Sequence, residues 1–154
     1  MLRVSKLTDY ATVVLTHIAH DPEGLHTASD ITAATHLAQP TVSKLLKQLT
    51  KASLLESKRG AHGGYVLSDK PENISVASII SAIEGPIGMT ECSVHEGLCE
   101  QESSCEIKAN WSLINVAVQA ALESVSLADL CQPAQQHSVK VEVPSLSQST
   151  TARC

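Results

Sequence analysis

The chain has 154 residues, 43% of them hydrophobic, and a formal charge of −5 at neutral pH. This is enough for one ordinary domain, and because Tyr10, Tyr65 and Trp111 are its only aromatics the core must be aliphatic, which suits packed helices and disfavours a β-sandwich. The acidic total excludes a uniformly basic nucleic-acid binder but not a local one: residues 1–70 carry eight Lys/Arg against six Asp/Glu, and residues 71–154 carry three against ten.

No apolar stretch reaches transmembrane length and the N-terminus lacks a signal-peptide core, so a cytoplasmic protein is expected. Five cysteines in that setting point to metal or redox chemistry before disulfides.

Ala11, Val14, Leu15 and Ile18 fall at helical spacing and predict a first helix over residues 8–20. Asp21-Pro22-Glu23-Gly24 breaks it. Thr27 caps a short second helix, with Asp30 as its capping-box partner and Ile31 and Ala34 on the buried side. His36-Leu37-Ala38-Gln39 is a tight connection into a third helix over 40–52, whose first turn accepts Pro40 without losing a hydrogen bond. Val42, Leu45, Leu46 and Leu49 form its apolar stripe, and Thr41, Lys44, Lys47, Gln48 and Lys51 the opposite side.

Residues 54–58 read as a strand, 60–64 as a glycine-rich turn and 65–67 as the return strand. Ser75 caps a fourth helix over 76–84, which Gly85-Pro86 ends. Residues 86–104 show no apolar periodicity, so only their cysteines are expected to order them. A long helix over 104–125 repeats Ile107, Trp111, Ile114, Val118, Leu122 and Val125 on one face, and 126–130 adds a further turn. The Gln/Ser/Pro/Thr-rich tail 132–154 is expected to be disordered.

Two short helices joined by a tight turn, the second basic outside, followed by a strand–Gly turn–strand, predict a mainly α fold with a small β wing: a winged helix-turn-helix. In such a fold Thr41 and Ser43 can reach base edges while Lys44, Lys47 and Lys51 meet phosphates of double-stranded DNA. The wing presents Lys58 and Arg59 at a tip that glycines keep unobstructed. The apolar face of 107–125 is too long for so small a domain to cover and predicts a homodimer through coiled-coil-like contact. The expected division is 1–70 for DNA binding, 71–105 for a connecting helix and cysteine loop, 106–131 for dimerisation and 132–154 for the tail.

Cys92, Cys99 and Cys105 are separated by six and five residues. Thiolates are the soft ligands that iron–sulfur clusters require, and these three sit among Glu91, Glu96, Glu100, Glu102 and Ser103, a polar setting unlike that of packed thiols. The spacing is not that of a zinc ribbon. Cys131 and Cys154 lie outside the loop and read as ordinary thiols. No Gly-x-Ser-x-Gly, His-Glu-x-x-His or phosphate loop orders the histidines toward catalysis, so an enzyme is not expected.

The run from Ser57 to Leu67, with Arg59-Gly60-Ala61-His62-Gly63-Gly64-Tyr65 at its centre, resembles the wing signature of the Rrf2 family of bacterial regulators. The opening Leu2-Arg3-Val4-Ser5-Lys6-Leu7-Thr8-Asp9-Tyr10-Ala11, the stretch Ile83-Glu84-Gly85-Pro86-Ile87 and the three-cysteine loop are similar too, in the right order, so that the resemblance spans about residues 1–130. It implies a homodimer on a roughly palindromic operator, repression, and an iron–sulfur cluster on Cys92, Cys99 and Cys105, 2Fe–2S in preference to 4Fe–4S. It also implies control of iron–sulfur assembly, iron uptake or nitric-oxide responses, and the opening run looks closest to regulators of SUF-type assembly operons. IscR-like members place a histidine three residues after the last cysteine, where this chain has Lys108. NsrR-like members use an aspartate from the other subunit's first helix, and Asp9 matches that position; His95 is the alternative fourth ligand.

Overall fold

The computed structural model describes residues 3–60, 62–94, 105 and 107–133, the side chain of Cys92 aside. Helix α1 (Lys6–Ala19) starts behind Ser5, whose hydroxyl accepts the Thr8 amide hydrogen and satisfies one open N–H of the first turn. The helix thus begins at its cap, ahead of the apolar residues that mark it in the sequence. In α2 (Ala28–Thr35) both halves of the Thr27–Asp30 capping box form. His36 ends it in the left-handed region, φ 57°, and turns the chain into α3 (Gln39–Lys51), with Pro40 in the first turn.

Strands β1 (Leu55–Lys58) and β2 (Gly64–Leu67) pair antiparallel, Leu55 opposite Leu67 and Ser57 opposite Tyr65. A 3-10 turn (Pro71–Asn73) leads to α4 (Val76–Glu84), capped by Ser75 as expected. Then come α5 (Glu91–Val94), α6 (Lys108–Glu123) and α7 (Leu127–Leu130). The expected mainly α fold with a small wing is the observed one.

One aliphatic core joins these elements. Leu15 and Ile18 of α1, Ile31 of α2 and Leu45, Leu46 and Leu49 of α3 are fully buried, each such side chain stabilising the fold by about 1.5–3 kcal/mol. Leu55 and Leu67 extend the core under the wing, and Ile79 and Leu127 close its other side. Distant segments are stitched together there: the Val76 amide donates to the Val125 carbonyl at 2.8 Å and the Leu127 amide to the Ile74 carbonyl at 2.7 Å. Helix α7 is therefore a plug for the N-terminal core, beyond the single extra turn that its sequence suggests.

The wing has a third edge. His26 exchanges backbone hydrogen bonds with Tyr65, 3.0 and 2.9 Å, and a Cβ at Gly64 would stand 2.9 Å from the His26 carbonyl oxygen, so glycine there permits the close approach. The His26 ring donates from Nε2 to the Asp21 carbonyl, 2.9 Å, and meets the His17 ring edge-on, centroids 5.5 Å apart. Burial holds His17 below the ordinary histidine pKa; His26 and His20 push it the same way and Asp30 opposes them. The unfolded chain, whose His17 is unperturbed, takes up the proton first, so this contribution to stability is full above pH ~6.5 and is lost as pH falls through the lowered folded value. Denaturant unfolding at neutral and mildly acidic pH checks this: His17→Gln should show a smaller acid-induced drop than the parent, and an equal drop would contradict it.

Two expectations are corrected. The segment after α4 is not ordered by cysteines alone: α5 packs on α6, and the Met89 amide donates to Oδ1 of Asn115 at 3.1 Å. Asn115 is only 8% exposed, so one buried amide does what apolar periodicity does elsewhere. The long helix also starts later and ends sooner than 104–125, at Lys108 and Glu123. Residues 95–104, with Cys99 and His95, and the tail beyond 133, with Cys154, lie outside the described residues.

Candidate functional site

Helix α3 divides as its sequence requires. Val42, Leu45, Leu46 and Leu49 are fully buried, which fixes the opposite face outward. Lys44, Lys47 and Lys51 are exposed there, and Thr41 and Ser43 are half-buried at the N-terminal end. That is the end that enters the major groove in helix-turn-helix proteins. Ala38, at the N-cap, offers no side-chain cap to the helix. Gln48 departs from the expected polar side: it is half-buried and its Oε1 is enclosed without a hydrogen-bond partner among the described residues. One residue beyond Lys47 the helix has turned back toward Leu45 and Leu49, which a polar residue type does not announce.

The wing sorts its residues by strand alternation. Leu55, Ser57, Tyr65 and Leu67 share the face toward the core and α3. Glu56, Lys58 and Val66 share the other, where Lys58 lines a cavity of about 640 Å³ together with Glu23, Asp69 and Glu72. Lys58 is therefore not brought together with the lysines of α3, whereas Ser57 and Tyr65, absent from the sequence-based site, are. Arg59, exposed, follows directly after β1.

Of the expected cluster ligands, Cys92 lies in α5 and Cys105 is half-buried, three residues before α6. Among the described residues no group of three His, Cys, Asp or Glu is poised around a metal, and Cys99 stands outside them. Lys108 opens α6. Cys131 is a packed thiol, as its sequence context suggests: burial raises its pKa, and its Sγ lies 3.9 Å from the Thr16 carbonyl oxygen.

Asp9 is exposed in the first turn of α1. A hydrogen-bonded joint beside it holds that helix end. Glu84, the last residue of α4, accepts from the Ser5 amide at 3.0 Å and from the Thr8 hydroxyl at 2.5 Å. Those two bonds, Thr8 first, hold the Glu84 carboxyl below the usual carboxylate range. Nothing local signals this contact, whose partners stand 76 and 79 residues apart.

Asp9 also lines an open groove of about 430 Å³ with Val4, Val76, Ile80 and Leu130. Val4 and Ile80 belong as well to an adjoining groove of about 420 Å³ walled by Pro86, Ile87, Val118 and Leu122. Leu113, Ile114 and Val116 of α6 are exposed, as is Ile107 just before it. No described helix is long and apolar enough to cross a membrane.

Comparison with known proteins agrees with this geometry. Residues 4–133 match the Rrf2 family model, described as an iron-dependent transcriptional regulator. The transcriptional regulator IscR of Aliivibrio salmonicida is 31% identical over 122 residues, covering 79% of this chain and 72% of that protein. The solved structure of CymR, the global cysteine regulator of B. subtilis, superposes with a TM-score of 0.66 at 32% identity, over 85% of this chain and 97% of that one. The structure of T. potens IscR does so with a TM-score of 0.62 at 28% identity, over 89% and 93%. These relatives are regulators, not enzymes. The chain is a winged-helix, DNA-binding transcription regulator and belongs to the Rrf2 family.

Proposed function

We propose that this regulator acts in the cytoplasm as an iron–sulfur-sensing repressor that binds a roughly palindromic operator as a homodimer. Thr41 and Ser43 read base edges; Lys44, Lys47, Lys51 and Arg59 meet phosphates. Lys58 contributes the least, because it faces away from α3, into a cavity whose lining holds four carboxylates against Lys58 and Lys70. The exposed apolar side chains of α6 and the groove beside α1 and α4 are the complementary surfaces of a twofold dimer. In such a dimer the two α3 helices stand ~34 Å apart, one turn of DNA.

Cys92, Cys99 and Cys105 hold the cluster, 2Fe–2S in preference to 4Fe–4S, and Asp9 of the partner subunit completes its ligand shell. The donor chemistry fits: three soft thiols within fourteen residues, the last of them a half-buried free thiol. When bound, the cluster supplies a centre responsive to iron, oxidants and nitric oxide. The single observation that carries the sensing role is that the stretch leading into Cys92 is tied both to α6 and to the first helix of the reading domain. Asn115 holds Met89, three residues before Cys92, and Glu84 holds the N-terminus of α1. The regulated genes are those of iron–sulfur assembly or iron and redox stress. No relative named above supports the narrower link to SUF-type operons.

Iron and sulfide analysis of anaerobically purified protein tests the proposal. Coloured protein with iron and sulfide in equal amounts is expected, and Asp9→Ala should alter its absorbance and Raman bands; an unchanged spectrum removes Asp9 from the ligand set. Colourless, iron-free protein contradicts the cluster. The likeness to CymR favours a second reading, a regulator without a cluster, and zinc in place of iron would favour a third.

A further inference from the structure

The cleft between α3 and the wing supports a site that rests on the DNA-binding role but goes beyond it. Ser57 and Tyr65 face each other across β1 and β2, on the same sheet face as Leu55 and Leu67. That face runs past the last core leucine onto the C-terminal half of α3. It leaves there a cavity of about 340 Å³ lined by Lys47, Thr50, Lys51, Ser57 and Tyr65. The lining offers two ammonium groups and three hydroxyls and contains no carboxylate. The Thr50 hydroxyl is already committed to the Leu46 carbonyl, 2.7 Å. The hydroxyls of Ser57 and Tyr65 make no hydrogen bond among the described residues, and the Tyr65 ring packs against the core, which fixes its phenol. The cavity on the other face of the sheet differs in kind, because its two lysines, Lys58 and Lys70, are outnumbered by Glu23, Glu56, Asp69 and Glu72.

We propose that this cleft seats one backbone phosphate of the bound duplex, with Lys47 and Lys51 supplying charge and the hydroxyls of Ser57 and Tyr65 fixing its position. A phosphodiester carries one negative charge on two oxygens that accept several hydrogen bonds, and this lining can provide both. The seat would lock the wing to α3 across the strand of DNA between them, setting how deep the N-terminal end of the helix reaches.

The test uses the full chain, a short duplex of mixed sequence and a duplex selected from a random pool, each titrated by fluorescence anisotropy across a salt series. Tyr65→Phe with Ser57→Ala should weaken binding about tenfold on both duplexes, since backbone contacts are read alike. The salt slope should not change, because no charge is removed, whereas Lys47→Met should lower it by ~0.9. One neutral methylphosphonate in the selected duplex should weaken the parent by more than it weakens the double variant, which has already lost the hydroxyl contacts and has only the Lys47 and Lys51 charge contacts left to lose there. Ser57 is an exposed strand residue, so Ser57→Ala alone, read against the same methylphosphonate, decides the matter should the double variant fold poorly. A parent chain that binds neither duplex overturns the DNA-binding role itself. A parent that binds while the variants match it within about twofold, or a methylphosphonate scan in which the losses add at every position, overturns the seat alone.

Discussion

Replacing Lys44, Lys47 and Lys51 together by alanine is expected to weaken duplex binding by roughly a hundredfold to a thousandfold at moderate salt while leaving the fold intact. All three are exposed on the face of α3 opposite its buried stripe, so no core contact is lost, and alanine is the better helix former. Each ammonium that meets a phosphate releases about one condensed counterion, so the slope of log affinity against log salt should fall by roughly 2.7 per chain. Affinity measured across a salt series, with circular dichroism as the control on folding, checks both. A triple variant with the parent's slope would show that these lysines merely solvate the surface and that the duplex is met elsewhere.

Leu46→Ala should produce the largest loss of stability, about 2–5 kcal/mol. Leu46 is fully buried on α3 among side chains from the other core helices. Truncation removes three carbons' worth of burial and leaves a cavity that the surrounding core side chains fill only in part. Against the ~5–15 kcal/mol that holds a domain of this size together, such a loss is a large share. Because the stripe that Leu46 belongs to sets the outward face of α3, DNA affinity should fall with stability. Denaturant unfolding reads the effect; a loss under about 0.5 kcal/mol would place the residue outside the core.

The elements that are legible in the sequence are the local ones. Helices α1 to α4 and both strands follow from periodicity, from caps at Thr27 and Ser75, and from the break at Gly85-Pro86, all of which act within a few residues. What the sequence leaves silent is long-range. The Glu84 bonds to Ser5 and Thr8, the burial of Leu127 in the N-terminal core and the Asn115 latch on Met89 each join segments that no pattern relates.

Charge counting fails for a different reason. It counts Lys58 and Lys47 alike among the cations of residues 1–70, but the period-two alternation of a strand sends Lys58 to the face of Glu56 and leaves Ser57 and Tyr65 toward α3. Asn115 has the one signal that could be read: a lone amide where helix α6 turns its inward side to α4 and α5, the place where a polar residue must find a partner.

The most direct test of cluster control is the affinity of one anaerobic preparation for one duplex, before and after the iron is stripped by chelation, at fixed salt. Cluster-loaded and stripped protein should differ by about 5–150-fold, the range of ordinary coupling between two sites, and a variant with Cys92, Cys99 and Cys105 all changed to serine should bind like the stripped form. Equal affinities before and after stripping would leave a DNA-binding winged helix whose cysteines do not govern it.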